Sequence, residues 1–469
     1  MFIGRNNELE LLRQLINADK CNIGIIYGRR RIGKSELIKK AFENYSVYIF
    51  EGLENRSKQE QIDSFIFQLE YMTQKQFSNK KISSWREAFI LLYDNLKNQP
   101  GHVVFDEFQW MANYRSDIVT ELKMIWDLYI SKIDSITLIL CGSIASFMTT
   151  KVVKSKALYG RADLVINLRA FLLSDTRKML KDRGINEVIE AQMFSGGIPK
   201  YLDLIKDKPS IYLGIEELAF TETGYFTDEY DRIFVSHFGR NPDYEKIVKL
   251  LAVNPYGLFR KQIAEKSGVD MGGGLTSHLN DLEYAGFITS RTPFNKDHKS
   301  RLIKYFLSDA YLSFFFSFIQ PNFKKIKSGI QKDLFKLISQ SGAFYNWMGK
   351  AFESLCIAHA QKISFILGFS GIEFNFGPYF NSKTKQSNGV QIDVLFDRKD
   401  NVITLCEAKY TLKPTGIDVI QEMEKKVSIL KKQFKNQTIQ KVLISKSGAT
   451  KNLLSSGYFY RIITPDMLI

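Results

Sequence analysis

The sequence predicts an α/β chain of several domains headed by a parallel-sheet unit, and three observations lead there. Through the first 170 residues, short apolar runs ending in glycine or acidic residues alternate with amphipathic helical patterns, the mark of strands buried on both faces. From residue 243 the pattern changes to short amphipathic helices followed by a two-stranded ribbon. Beyond residue 350, two apolar strands joined by a polar turn carry acids and a lysine. A length of 469 residues fits two to four domains, at roughly 100–200 residues per domain.

In chain order, Phe2-Ile3-Gly4-Arg5 is a glycine turn running into an amphipathic helix from Glu8. The apolar run Ile23 to Tyr27 reads as a buried strand. Gly28 ends it, and Gly33-Lys34-Ser35 opens a helix, which completes G-x-x-x-x-G-K-[ST] in a strand-to-helix setting. The glycines allow successive backbone N–H groups to converge on a polyphosphate. Lys34 is then expected on the β/γ-phosphates and the Ser35 hydroxyl on Mg²⁺, which together point to ATP.

A strand at 47–50 and helices around 57–72 and 84–98 lead to Val103-Val104-Phe105-Asp106-Glu107. An apolar strand ending in two carboxylates supplies one acid for the metal and one for the attacking water, here Asp106 and Glu107 in that order. The strand Ile136 to Cys141 ends in Gly142-Ser143, and Ser143 either reaches the water or γ-phosphate or serves the turn. Leu158-Tyr159-Gly160-Arg161 precedes a fifth strand at 164–168.

Taken together, F-I-G-R-x-x-E-L, G-R-R-R-I-G-K-S, V-V-F-D-E-F, L-C-G-S, L-Y-G-R-A and S-G-G-I-P-K-Y-L resemble the archaeal-type P-loop ATPases of the AAA+/STAND group over roughly residues 1–240. The resemblance implies Gly4 and Arg5 near the adenine, Gly28, Gly33, Lys34 and Ser35 around phosphate and Mg²⁺, and Asp106 and Glu107 as the second acidic motif. It also implies Gly197 and Pro199 in a lid, and Arg161 as a finger acting on a neighbouring subunit. Arg161 is followed by Ala-Asp, so position alone supports its role.

The helical patterns at 244–251, 260–265 and 275–282 and the ribbon at 286–289 and 303–307 predict a winged helix. Lys296, His298, Lys299 and Arg301 form its polar tip, suited to phosphate contact. The third helix carries no arginine to read a guanine edge, so a connector role stays open. Residues 321–341 read as a helical linker. The run Leu312 to Ile319 is too short for a membrane span, which needs roughly 20 apolar residues, and reads as core or interface.

In the strands Val390 to Phe396 and Val402 to Lys409, alternation sends Glu407 and Lys409 to one side with Asp393 on the partner strand. Two carboxylates can hold Mg²⁺ while a lysine serves the metal-bound water, which is phosphodiesterase chemistry. The stretch resembles the PD-(D/E)xK restriction-endonuclease-like family, with Asp393, Glu407 and Lys409 catalytic and Glu353 a further metal-binding acid. Ile392 stands where the family name has proline, and a degenerate module that binds without cutting remains the alternative.

The expected order is a P-loop core at 1–170, a helical lid at 171–240, a winged helix at 241–320, the linker, and a nuclease-like α/β domain at 342–469. The expected function is ATP-regulated, Mg²⁺-dependent DNA processing; the alternative is a STAND-type ATP switch. With 65 Lys+Arg against 50 Asp+Glu, the net charge of +15 favours a polyanionic partner such as DNA. Homo-oligomers through the ATPase domain are expected if Arg161 acts in trans. Four scattered cysteines and five unclustered histidines support neither a disulfide framework nor a zinc site and suggest a reducing cytoplasm.

Overall fold

The computed structural model describes residues 2–77, 81–112, 117–133, 135–158, 160–239, 241–292, 294, 303–329, 333–381 and 390–469. The chain divides into two compact units, one of residues 1–170 with 280–285 and one of residues 171–279 with 286–469.

In the first unit, β1 (Asn22–Tyr27), β2 (Val47–Glu51), β3 (His102–Asp106), β4 (Thr137–Gly142) and β5 (Ala162–Asn167) form a sheet in the order β2-β3-β4-β1-β5. Every pairing is parallel, with Ile25 opposite Leu140 on one side and Val165 on the other. Parallel strands need crossovers, and the chain supplies them as helices. Two of these, Lys58–Thr73 and Trp85–Asn98, begin with capping boxes in which Ser57 pairs with Glu60 and Ser84 with Glu87. Their apolar faces bury Phe65, Trp85 and Phe89 against Phe50 and Phe105 of the sheet, with Phe50 stacked 4.2 Å from Phe65. Each such ring contributes about 1.5–3 kcal/mol by leaving water. This core holds the strands so that the C-terminal ends of β1, β3 and β4 lie side by side.

The second unit opens with helices from Leu173 to Phe238. The helices Pro242–Ala252, Arg260–Ser267 and Gly273–Tyr284 follow along the chain, residues 280–284 of the last being counted with the first unit, with β6 (Leu258–Phe259), β7 (Ile288–Arg291) and β8 (Lys304–Leu307) in an antiparallel sheet ordered β6-β8-β7. The tip residues Lys296, His298, Lys299 and Arg301 lie outside the described residues. Phe314, Phe315, Phe316 and Phe318 are buried, as expected of a core run.

The expected linker is different. Its helices Phe323–Ser328 and Leu334–Ser339 bury Ile326, Leu334 and Phe335, and Phe335 stacks 5.0 Å from Phe220 and meets Phe344 edge-on. The charged residues hid an apolar side that only the folded neighbours reveal.

The long helix Gly342–Ala358 precedes β9 (Phe374–Asn381), β10 (Val390–Arg398) and β11 (Val402–Lys409). A helix Val419–Gln433 then leads to β12 (Thr438–Ser445) and β13 (Arg461–Ile463). The sheet order is β13-β12-β11-β10-β9, antiparallel from β9 to β11 and parallel from β11 to β13. The helix 419–433 makes the crossover that the parallel β11–β12 pair requires.

Candidate functional site

In the first unit, Gly33 adopts φ 92°, a conformation that suits glycine, and caps the helix Lys34–Ala41. The loop therefore turns directly into a helix whose first N–H groups lack intrahelical partners. Lys34 is nearly buried, and its Nζ donates to the carbonyls of Gly28 at 3.0 Å and Arg29 at 3.2 Å. Gly28 approaches Leu168 so closely that a Cβ would lie 2.5 Å from its carbonyl oxygen. Arg5 donates to the carbonyl of Ile32 at 3.2 Å, which ties the Gly4-Arg5 turn to the loop.

At the end of β3, Ser35 Oγ donates to Asp106 Oδ2 at 2.8 Å, while Asp106 Oδ1 accepts the Glu107 N–H at 2.9 Å. A hydroxyl beside a carboxylate at a phosphate loop is a donor set that fits Mg²⁺, and Ser35 and Asp106 would hold it. Glu107 sits at φ 48°. Its Oε2 accepts from Ser143 Oγ at 2.7 Å and from the Gln109 amide. Burial pushes the Glu107 carboxyl up, but Lys34, the hydrogen bonds from Ser143 and Gln109, and Arg30 together hold it below the usual range. Glu107 is thus held as an anion. Ser143 and Glu107, adjacent-strand residues in the sequence reading, are in contact. Gln109 was missed, although it lies two residues past the acids and its neighbours in sequence are apolar.

Arg161 is held by Asp127 through two hydrogen bonds of 3.0 Å each and also donates to the Ala157 carbonyl. Any action on a neighbouring subunit must first break that clamp. In the second unit, Gly197 has φ 75° and Pro199 occupies the first turn of the helix Pro199–Lys206.

The C-terminal residues also meet. Lys409 Nζ lies 3.1 Å from Glu407 Oε1 and 2.7 Å from Glu422 Oε2. Lys426, on the helix 419–433, pairs with the other oxygen of Glu407. Asp393 is buried and accepts the Ala408 N–H at 2.9 Å. Burial, then the charges of Glu407 and Glu353, pushes its carboxyl up to about 7. Glu353 is raised by burial, with Lys350 at 2.7 Å pulling the other way. Sequence reasoning missed Lys426 and Glu422, for which helical spacing alone gives only an exposed charged face. Among the described residues, no group of three or more His, Cys, Asp or Glu is arranged to hold a metal. Both Glu407 oxygens are already paired with an ammonium, Oε1 with Lys409 and Oε2 with Lys426, so this donor set fits a divalent ion only after an ammonium leaves.

Residues 2–205 match the profile of a family described as an ATPase domain predominantly from Archaea. The N-terminal part of the chain is thus similar to an ATPase domain family. Residues 315–442 match a family described as archaeal and bacterial proteins of unknown function. An uncharacterized protein of Methanocaldococcus jannaschii is 26% identical over 360 residues, covering 76% of this chain and 76% of its own length. An uncharacterized ATP-binding protein of the same organism is 51% identical over 47 residues, 10% of this chain and 80% of that protein. The Walker-type ATPase of Pyrococcus abyssi has a similar fold, with TM-score 0.51 and 18% identity over 67% of this chain and 96% of that one. The family match supports a nucleotide-binding ATPase domain, and the similar fold agrees with it. Among the described residues, no helix is long and apolar enough to cross a membrane.

Proposed function

We propose that this chain hydrolyses ATP at the phosphate loop and uses the nucleotide state to control DNA processing by its C-terminal module. The observation that carries the ATP reading is the joining of Ser35 to Asp106 and of Ser143 to Glu107 at neighbouring strand ends, beside Lys34. Lys34 would leave two neutral carbonyls for the β/γ-phosphates, and Glu107 would orient and deprotonate the attacking water. Mg²⁺, when bound, would neutralise phosphate charge. Gly4 and Arg5 would bound the nucleotide at its base, and Gly197 and Pro199 would belong to the lid.

For the C-terminal module, the sequence resemblance and the grouping of Asp393, Glu407, Lys409 and Glu353 support a Mg²⁺-dependent nuclease of the PD-(D/E)xK kind. The helix and sheet order through 342–445 supports the same reading, as the helices and ribbon of 242–307 support a winged helix facing DNA. The basic net charge favours a DNA partner within the cytoplasm. A second reading, a STAND-type switch whose C-terminal fold only binds, is favoured by the Lys426–Glu407 pair, which neutralises the centre without metal.

Steady-state phosphate release with and without DNA, run beside cleavage of plasmid and single-stranded DNA in Mg²⁺ or Mn²⁺, tests both. Nicking that vanishes with chelator and in Asp393→Ala or Lys409→Ala, with ATP turnover intact, supports the nuclease. DNA retention with no nicking on any substrate leaves the switch.

A further inference from the structure

Resting on the reading of Glu107 as the group that faces the attacking water, we propose that Gln109 is the positioning residue that aims it and couples it to Ser143. Gln109 is buried at the start of the short helix Phe108–Met111 that follows β3, and its carboxamide lies between the ends of β3 and β4. Each polar atom of the amide is used. Oε1 accepts the Ser143 N–H at 3.2 Å, and Nε2 donates to Ser143 Oγ at 3.1 Å and to Glu107 Oε2. Ser143 Oγ in turn donates to that same Glu107 oxygen at 2.7 Å. The pattern is self-consistent: turning the amide over would set an oxygen against a carboxylate and an N–H₂ against an N–H.

Two consequences follow from the geometry. Both donors converge on Glu107 Oε2, so that one oxygen of the carboxylate is anchored by the Gln109–Ser143 pair. Glu107 also occupies φ 48°, a backbone conformation uncommon outside glycine. The seat for the amide is built into β4. A Cβ on Gly142 would stand 2.6 Å from Gln109 Oε1 and 2.5 Å from Met148 Sδ, so a larger residue there would displace the carboxamide. A leucine of similar size would fill the space and make none of these bonds, whereas a glutamate would fill it and repel Glu107.

The test uses the full chain and reads ATP affinity with a fluorescent analogue separately from phosphate release. Gln109→Leu and the isosteric Gln109→Glu should keep the dissociation constant within about threefold and lower kcat by about 10²-fold, the scale expected when a reacting group is misplaced by an ångström. Gly142→Ala should lower kcat in the same direction with affinity kept. Wild-type kcat in either Gln109 variant would overturn the proposal, as would loss of nucleotide binding equal to the loss of kcat, since that marks a merely structural residue. Should Gln109→Leu fail to fold, the Glu variant, equal in shape, decides. Glu107→Gln is the companion control: if it turns over ATP normally, the reading of the site itself fails, which is a separate outcome from failure at Gln109.

Discussion

The two centres draw on the same residue types, and the way each neutralises its charges separates them. At the phosphate loop, Lys34 is satisfied by carbonyls and the acids by hydroxyl, amide and backbone donors. Those partners are dipoles, so a nucleotide and its metal can take the lysine and acids over at low cost. At the C-terminal centre, Glu407 is shared by Lys409 and Lys426, Glu353 is paired with Lys350, and Asp393 is raised by burial. Ion pairs of that kind close on themselves, and a divalent cation must compete with an ammonium. Two loose acid-and-lysine motifs can therefore match equally well in sequence and differ in readiness for their ligands.

The largest expected effect lies at the phosphate loop. Lys34→Ala should weaken ATP binding and reduce hydrolysis by about 10²–10³-fold, the scale of losing one electrostatic partner of developing charge. Glu107→Gln should retain binding and lose turnover. Isothermal binding and phosphate-release assays on both variants check this, and unchanged hydrolysis in both would end the comparison.

At the C-terminal centre, Lys426→Met should expose how much of Glu407 is held by that lysine. Glu407 is almost fully buried, so removing one partner should cost about 3 kcal/mol in chemical unfolding, with Lys409 limiting the loss. The same variant should bind Mn²⁺ more tightly than wild type, measured by calorimetry. No gain in metal binding would mean that the centre is closed for another reason.

A pH series tests packing away from either centre. His359 is buried, donates from Nδ1 to the Leu355 carbonyl and accepts the Leu173 N–H at Nε2, and burial holds its pKa below 6.5 against the opposing pull of the Leu355 bond. Below about pH 6.5 the unfolded chain therefore binds a proton that the folded chain resists, and stability falls as pH falls, by at most about 1.4 kcal/mol per pH unit. In the same window Asp393, whose carboxyl is raised to about 7, takes up a proton in the folded chain and opposes this slope, so the readout is the difference between two proteins: urea midpoints from pH 7.5 to 5 should fall more with acid in the wild type than in His359→Gln.

The smallest effect belongs to Arg161. Its pair with Asp127 is about one-third exposed and screened by water, so Arg161→Ala should leave the unfolding midpoint almost unchanged. If the side chain leaves Asp127 to act across a subunit interface, mixing Arg161→Ala with Lys34→Ala protein should restore part of the lost turnover. A monomer with full activity in Arg161→Ala would remove the finger.

Period and spacing along the chain determined much of this protein. Apolar runs between glycines set the five parallel strands, the G-x-x-x-x-G-K-S loop set the site at the end of β1, and strand alternation put Glu407 and Lys409 on one side. Those are local properties, written within one or two turns or strands. Contacts between distant segments were decided only by the tertiary structure. Gln109 bridges Glu107 to Ser143 across two strand ends, and Asp127, on the helix Ile118–Leu128, captures Arg161. Lys426 reaches Glu407 from the following helix, and the supposed linker buries Phe335 against Phe220 and Phe344. A glutamine or lysine at helical spacing has the same sequence signature whether solvated or buried, because hydrogen-bond partners and desolvation depend on what the rest of the chain brings alongside.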